Sequence, residues 1–381
     1  MKTDVLQRTW QTGGCVVTKI VSRAASLLAM AAFAGAAAFV PGGAKAKDKI
    51  TISLVQVLTV EEWPQEMAAG ARAAAADIGS DKLELRLLGT AGADVQKEGQ
   101  IAMSEAERGP DAIIISNALG GMNEPAHILA QKGIPTTWLV MAPPDEVQNA
   151  FYVGADPYAV GNAGADLIIP LLEKKQGKPA AEISGEVVQG LCVPGIPVLT
   201  QRLAAIDEAV KARMPKATVL PAFDSKIDLA QSYAVWNQAI NRHPHALFYT
   251  DPCEDGNKNI QKIRLEDKID VPQVYYDNPE SARVAVKSGE VTGIVSSNRF
   301  TEAYIAVYAT AKTLLDKQKF PVGWLKVPHK VITSANVDSY IAAWENSGAG
   351  LRKFYDGEIT ATRNFPLTNL PPTSDYNHPP K

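Results

Sequence analysis

Residues 50–58, Ile-Thr-Ile-Ser-Leu-Val-Gln-Val-Leu, are a nearly continuous apolar run that decides the fold class of this chain. A run of this length, rich in β-branched residues, is typical of a strand buried on both faces. An alanine-rich helical stretch follows at residues 64–78. The alternation continues with strands at residues 83–88, 112–116 and 136–140 and helices at residues 95–108 and 124–132. Buried strands separated by helices predict a doubly wound parallel sheet with helices on both faces.

A second half with the same pattern begins at residue 151. Its strands are predicted at residues 151–154, 186–189, 218–222, 246–249, 272–276 and 293–296, and its helices at residues 160–175, 197–213, 228–241, 256–265, 279–288 and 301–315. Two successive halves of similar size predict an α/β protein built from two doubly wound lobes. Residues 365–381 contain five prolines and no helical period, so we expect a tail that follows the surface or is disordered.

The first 46 residues have the features of a secretory signal. Basic residues precede an apolar, alanine-rich run over residues 24–40, and Ala-Lys-Ala at 44–46 fits a signal-peptidase site. The alternative is a membrane anchor, but the run has only 17 residues, whereas a spanning helix needs about 20. We therefore predict a cleaved signal peptide at residues 1–46 and a periplasmic mature chain.

Composition excludes several classes of function. Without the signal peptide, 335 residues carry 33 basic and 40 acidic side chains. An acidic exported chain is poorly suited to nucleic acids or anionic membranes, so we expect neither as a partner. No histidine has a metal-ligand spacing with the cysteines, and residues 57–64 lack the glycine pattern of a dinucleotide site. Neither Gly-x-Ser-x-Gly nor His-Glu-x-x-His occurs, so we predict a protein without catalytic residues, metal or cofactor.

Six segments stand in a characteristic order over nearly 300 residues: a first strand (residues 49–55), a first helix (63–74), a chain crossing (152–156), an arginine-led helix (201–206), an aspartate-ended strand (275–277) and a lysine-glycine return strand (287–291). Together they resemble the periplasmic sugar-binding proteins of the ribose, galactose and xylose type. These proteins have the type I periplasmic binding protein fold and deliver ligands to ABC importers.

The resemblance implies two lobes joined by a three-segment hinge that closes on a ligand. The crossings are expected near residues 154–156, 296–298 and 322–324. The expected domains are an N-terminal lobe of residues 47–154 plus 297–323, a C-terminal lobe of residues 155–296 plus 324–345, and a proline-rich C-terminal extension of residues 346–381. The implied partners are a small-molecule ligand and the membrane subunits of an ABC transporter, with the binding protein itself a monomer.

The resemblance also implies ligand contacts at strand ends that face the cleft. Trp63 is expected to stack on a sugar face, the alternative being a core residue at a helix start. Asp277 and Asp251 are expected to accept hydrogen bonds from hydroxyls, the alternative being that both are turn residues. Further candidate contacts are Glu61, Asn117, Met141, Thr200, Ser297 and Asn298.

Two positions depart from the family pattern. An Asp-Arg pair of the aldopyranose-binding members is replaced by Val140-Met141, and a second family arginine falls at Thr200. Arg202 matches a helix-packing arginine instead. We therefore expect a cleft with few basic donors, suited to a neutral polyol, a small and partly apolar sugar derivative, or a cationic ligand.

Cys192 and Cys253 each follow a strand of the second lobe, and those strands should be neighbours in the doubly wound order. A disulfide between them is one expectation; two unrelated buried thiols are the alternative.

The sequence leaves three functions open. The leading hypothesis is the substrate-binding component of an importer. The second is a ligand-presenting sensory or chemoreceptor subunit, and the third, less favoured, is an exported enzyme on the same fold.

Overall fold

The computed structural model describes residues 49–144, 147 and 150–376. These described residues belong to one compact unit. The predicted signal peptide and the last five residues of the predicted tail lie outside the described residues. Within the described part of the chain, no helix is long and apolar enough to cross a membrane.

The described strands and helices follow the alternation expected from the sequence. The strands are β1 (Ile50–Gln56), β2 (Leu83–Gly89), β3 (Ala112–Ser116), β4 (Thr136–Leu139), β5 (Phe151–Gly154), β6 (Ser184–Leu191), β7 (Lys216–Val219), β8 (Phe223–Asp224), β9 (Phe248–Thr250), β10 (Val274–Tyr275), β11 (Gly293–Ser296), β12 (Gly323–Lys326) and β13 (Lys330–Ile332). The helices are α1 (Glu62–Ile78), α2 (Val95–Glu107), α3 (Asn123–Gln131), α4 (Pro157–Gln176), α5 (Pro197–Arg213), α6 (Leu229–Arg242), α7 (Glu254–Glu266), α8 (Glu280–Ser288), α9 (Arg299–Leu315), α10 (Val337–Glu345), α11 (Ser347–Phe354) and α12 (Asp356–Arg363), with 3-10 turns at Ala180–Glu182 and Thr373–Tyr376.

The first lobe is a six-stranded sheet in the order β12-β5-β4-β3-β1-β2, and all of its strand pairs are parallel. Every residue of β1 and β3 is buried, as expected for central strands covered on both faces. Helices α1 and α9 pack closely, because Gly70 has no side chain. A Cβ at that position would lie 2.1 Å from the Phe300 carbonyl oxygen.

The second lobe contains β6 paired in parallel with β7, β8 and β9, and a separate group in which β10 and β11 are parallel. Strand β13 pairs with β11 in the antiparallel sense. The direction of β13 follows from the path of the chain. After β12 the chain enters the second lobe from the cleft, where the parallel strands end, so β13 must run away from the cleft. The predicted two-lobed α/β fold is confirmed, with this antiparallel strand as a local exception.

The chain passes between the lobes at residues 155–156, 297–298 and 327–329. The predicted third crossing at residues 322–324 was wrong. Residues 323–326 form β12 and pair with β5 from Gly323 opposite Phe151 to Lys326 opposite Gly154. The first lobe therefore extends to residue 326. Backbone pairing and the burial of Trp324 hold this short segment in the sheet before the chain leaves.

The C-terminal extension is structured over much of its length. Helix α10 packs on α8 of the second lobe, whereas α11 packs on α1 and α12 on α9 of the first lobe. The chain therefore passes between the lobes a fourth time, at Asn346. Leu351, Tyr355 and Ile359 recur every four residues and are all buried. This helical spacing continues across two short helices. The expectation of a tail that follows the surface or is disordered concerned residues 365–381, of which Leu370 and Tyr376 are buried.

Candidate functional site

A cavity of about 140 Å³ lies between the lobes, where the parallel strands of both sheets end. Residues of both lobes line it. The first lobe supplies Leu58, Glu61, Trp63, Ala118, Leu119, Val140 and Arg299, and the second lobe supplies Cys192, Val193, Val198, Leu199, Arg202, Ile227, Pro252, Cys253, Glu254, Asp255 and Asp277. A location at the carboxyl ends of strands from two α/β sheets is where ligands bind in such folds.

Trp63 and Arg299 form the aromatic and basic part of the first-lobe wall. The Arg299 guanidinium lies 5.6 Å from the centre of the Trp63 ring. Its Nη1 donates to Glu302 Oε2 at 2.7 Å, and Glu302 Oε1 accepts from the Ala155 amide at 2.9 Å. Burial opposes the charge of Arg299, but Glu302 and Asp277 favour it, and the pKa of Arg299 is raised overall. The arginine therefore stays charged beside the cavity.

Arg202 occupies the opposite wall and is almost completely buried. Its Nη1 donates to the Pro252 carbonyl oxygen at 3.0 Å, and its Nη2 donates to Ser297 Oγ at 2.7 Å. Burial lowers the pKa of Arg202, although Asp277 opposes the shift. The expectation that Arg202 serves only in helix packing was wrong, because its side chain lines the cavity and joins helix α5 to the second crossing.

The expectation of few basic donors was also wrong, since Arg202 and Arg299 both line the cavity. Sequence reasoning missed Arg299 because no strand or helix pattern marks the first residue after a crossing. A signal was nevertheless present: Arg299 directly follows Ser297 and Asn298, which were already placed at the second crossing.

Carboxylates form a further part of the cleft. Burial and the nearby Asp255 raise the pKa of Glu61. Burial raises the pKa of Glu254 to about 7, although Lys258 pairs with it. Lys258 also lies 3.4 Å from Asp255. Asp277, at the end of the β10 segment, brings a fourth carboxylate to the cavity. The site thus combines several acceptors with two fixed arginine donors.

Cys192 and Cys253 are joined in a disulfide, with their Cα atoms 6.2 Å apart. The expected disulfide is therefore present, and the alternative of two unrelated buried thiols does not describe the structure. The bond fastens the loop after β6 to the loop after β9, and both loops line the cavity. Among the described residues, the sulfur atoms and the Asp251 carboxylate form a compact group of metal-ligand types. Oxidised cysteines provide no thiolate, so this group is not a metal site while the bond is intact.

Asp251 does not line the interlobe cavity. It is fully buried, and its carboxylate accepts from Trp236 Nε1 at 3.0 Å and from the Cys253 amide at 2.9 Å. Burial raises the pKa of Asp251 to about 6. The Thr200 side chain also bonds to the backbone, because its hydroxyl donates to the Ile196 carbonyl at 3.1 Å. The turn alternative therefore describes Asp251, and the Thr200 hydroxyl is bonded within the first turn of its own helix.

Ser297 and Asn298 lie in the second crossing and do not line the cavity. Ser297 Oγ accepts from Arg202. Asn298 adopts a left-handed conformation (φ 64°), accepts from the Thr301 amide at 3.3 Å and donates to the Pro328 carbonyl at 3.1 Å. These contacts connect the second and third crossings, so both residues belong to the hinge.

Asn117 and Met141 line a second cavity of about 210 Å³ at the same strand edge. Asn117 Nδ2 donates to the Ala142 carbonyl at 2.8 Å. Pro197 of the second lobe and Tyr376 of the C-terminal segment complete the lining together with neighbouring loop residues. A larger groove of about 1100 Å³ lies elsewhere, between α1, β2 and α11 on the outside of the first lobe. Apart from Trp344 of α10, its lining comes from the first lobe and α11, and it lies away from the strand ends that form the cleft.

The lobes touch through polar contacts of helix α1. Glu62 pairs with Arg283 at 3.0 Å and accepts from the Glu280 amide at 2.8 Å. One turn later, the buried Glu66 accepts from Asn278 Nδ2 at 2.8 Å and from the Tyr355 hydroxyl at 2.8 Å. Burial raises the pKa of Glu66 despite these donors. These contacts stabilise the arrangement in which the lobes face each other across the cavity.

Comparisons with known proteins agree with this geometry. A family model described as periplasmic binding protein domain matches residues 52–319. The fold resembles a sugar-transporter solute-binding protein from Agrobacterium radiobacter in complex with D-arabinose, with 21% identity, a TM-score of 0.68, and coverage of 78% of this chain and 99% of that chain. It also resembles a solute-binding protein from Actinobacillus succinogenes with bound D-allose, with 18% identity, a TM-score of 0.66, and coverage of 77% and 100%.

A third similar structure is GanP, a glucose-galactose binding protein from Geobacillus stearothermophilus, with 18% identity, a TM-score of 0.65, and coverage of 76% of this chain and 99% of that chain. No curated protein sequence matches the chain. At these identities the structural likenesses establish the fold.

Proposed function

Because this chain belongs to the periplasmic binding protein family, we propose that it is the substrate-binding component of an ABC importer and holds a small sugar or polyol-like ligand between its lobes. The observation that carries the proposal is the interlobe cavity, where Trp63 and Arg299 of one lobe face Arg202 and Asp277 of the other. Two structurally similar proteins hold D-arabinose and D-allose.

Each part of the cavity suits a different part of such a ligand. The Trp63 ring offers a flat apolar surface to the C–H face of a sugar. Asp277 and Glu61 accept hydrogen bonds from hydroxyl groups, and the two arginines donate to hydroxyl or ring oxygens. The acidic residues are also complementary in charge to a ligand with a positive charge. The apolar wall formed by Leu119, Val198 and their neighbours favours a ligand with few hydroxyls on one side.

Hinge closure would couple binding to the shape of the protein. The site is divided between the lobes, so a ligand that touches both walls binds the closed arrangement better than the open one. The Glu62–Arg283 pair joins the two lobes in the arrangement seen here, and opening of the cleft would separate them. A transporter can then recognise the loaded protein by the relative position of its lobes. This role needs an extracytoplasmic location, which the predicted signal peptide supplies.

The proposal is tested by thermal shift and calorimetry with polyols, pentoses, hexoses, amino sugars and simple amines. A ligand at 100 times its Kd raises the free energy of unfolding by about 2.7 kcal/mol. Trp63→Ala and Asp277→Asn should abolish the shift. The matched controls Phe365→Ala and Asp81→Asn alter exposed residues away from the cleft and should retain it.

Two results would contradict the proposal. The first is a confirmed ligand whose affinity is unchanged in both cleft variants. The second is chemical conversion of the bound ligand, followed by NMR over hours, which would favour the exported-enzyme alternative.

A further inference from the structure

The last described residues of the chain return to the interlobe region. The family match ends at residue 319, and the three structures compared above account for 76–78% of this chain although they are themselves covered almost completely. The chain therefore carries additional length. The segment after α12 lies beyond the residues that the family model matches, and its last described residues form the 3-10 turn Thr373–Tyr376.

The segment is attached along strand β12. The Trp324 amide donates to the Pro371 carbonyl oxygen at 2.7 Å, and Leu370 is buried. Gly323 permits this approach. It has a φ of +116°, and a Cβ placed there would lie 2.6 Å from the Pro371 oxygen. A side chain at residue 323 would therefore displace the segment, so glycine is required by both conformation and space.

Tyr376 is the end point of this path. Its side chain is almost completely buried. The ring packs edge-on against Tyr152 at 5.2 Å and against Trp324 at 5.6 Å between centroids. These partners lie just before the first and third crossings. Tyr376 thus fills the hinge side of the cleft, against residues that precede two of the connections between the lobes.

Tyr376 also faces the region where a ligand would lie. It lines the cavity of about 210 Å³ that contains Asn117 and Met141 of the first lobe and Pro197 of the second. Val140 lines the main cavity, and its neighbour Met141 lines the second, so the two cavities are adjacent along this strand end. The charges of Arg202 and Arg299 act on the Tyr376 hydroxyl as well.

We propose that Tyr376 is a specificity-determining residue: it forms a wall that the C-terminal segment adds to the cleft, and it limits the length of ligand that the site accepts. This inference rests on the proposed function. A ligand that extends from Trp63 past Val140 toward Asn117 would meet the Tyr376 ring. Short ligands fit between Trp63 and the Tyr376 ring, whereas longer ligands would bind only when the Tyr376 side chain is replaced by a smaller one.

The test compares Tyr376→Ala with wild type against four-, five- and six-carbon polyols and sugars by calorimetry. Tyr376→Ala should improve the affinity for the longer ligands relative to the shortest accepted one by about tenfold or more. Tyr376→Phe keeps the ring and should retain the wild-type order. Tyr376→Leu, which is shorter than tyrosine but apolar, should shift the order in the same direction and serves if the alanine variant does not fold.

A second measurement does not depend on the natural ligand. Tyr376→Ala keeps Cβ and leaves a buried space that matches phenol, and engineered cavities bind small molecules of matching shape. Phenol should raise the Tm of Tyr376→Ala, but not that of wild type or Tyr376→Phe.

The outcomes separate the two proposals. If wild type binds no member of the panel, the proposed function fails, and phenol alone decides whether Tyr376 fills this position. A folded Tyr376→Ala whose Tm does not respond to phenol overturns the proposal that Tyr376 forms a wall of the cleft. So does a folded Tyr376→Ala whose ligand order is that of wild type.

Discussion

The disulfide between Cys192 and Cys253 yields a quantitative prediction. The two cysteines are 61 residues apart, and the bond closes a loop of that length in the unfolded chain. Chain-entropy estimates for such a loop correspond to about 4 kcal/mol at 25 °C. The double variant Cys192→Ser/Cys253→Ser should therefore lose about 4 kcal/mol in its free energy of unfolding.

Urea unfolding followed by circular dichroism measures this loss. The variant should unfold at lower urea, with a slightly larger m-value, because its unfolded chain is less compact. Wild type unfolded in the presence of a reductant is the matched control and should behave like the variant. Ligand affinity should fall as well, because the bond positions two loops that line the cavity.

Two findings would refute this reasoning. One is the titration of two free thiols in denatured protein that has never been reduced, which would show that the bond does not form. The other is an unfolding midpoint that is the same for wild type and the double variant. In that case the loops would hold their positions through packing alone.

Three further predictions concern single side chains. Glu98 is fully buried, and burial raises its pKa from 4.5 to about 8, so stability should fall as pH rises from about 4.5 to 8. Urea titrations should show Glu98→Gln to be more stable than wild type by about 3 kcal/mol at pH 7 and nearly equal at pH 4. Arg283→Leu removes the partner of Glu62 and should weaken ligand binding several-fold in calorimetry, whereas an unchanged Kd would exclude a role in closure. Its Tm should fall as well, because the buried Arg283 also donates to the Asn278 carbonyl and lies over the Trp344 ring. Arg202→Lys cannot reach Pro252 and Ser297 together, and we expect at least a tenfold higher Kd; full retention of affinity would contradict its placement in the site.

Much of the fold follows from local sequence. Apolar runs such as residues 50–58 and 112–116 are buried strands because alternation of strands and helices leaves both faces of a parallel sheet covered. The strands depend on periodicity and chain order, which a sequence displays directly. The family resemblance implied that Trp63 and Asp277 face the cleft, and both line the cavity.

The tertiary structure decided the rest. Strand β12 was not recognised from its sequence, Gly-Trp-Leu-Lys, and only its pairing with β5 assigns residues 323–326 to the first lobe. Asp251 and Asp277 both follow strands. Asp251 is buried and accepts a hydrogen bond from Trp236, whereas Asp277 lines the cavity. Arg299 and Tyr376 reach the cleft through a chain crossing and a returning C-terminal segment. Their positions depend on contacts between residues far apart in the chain, and no local pattern encodes such contacts.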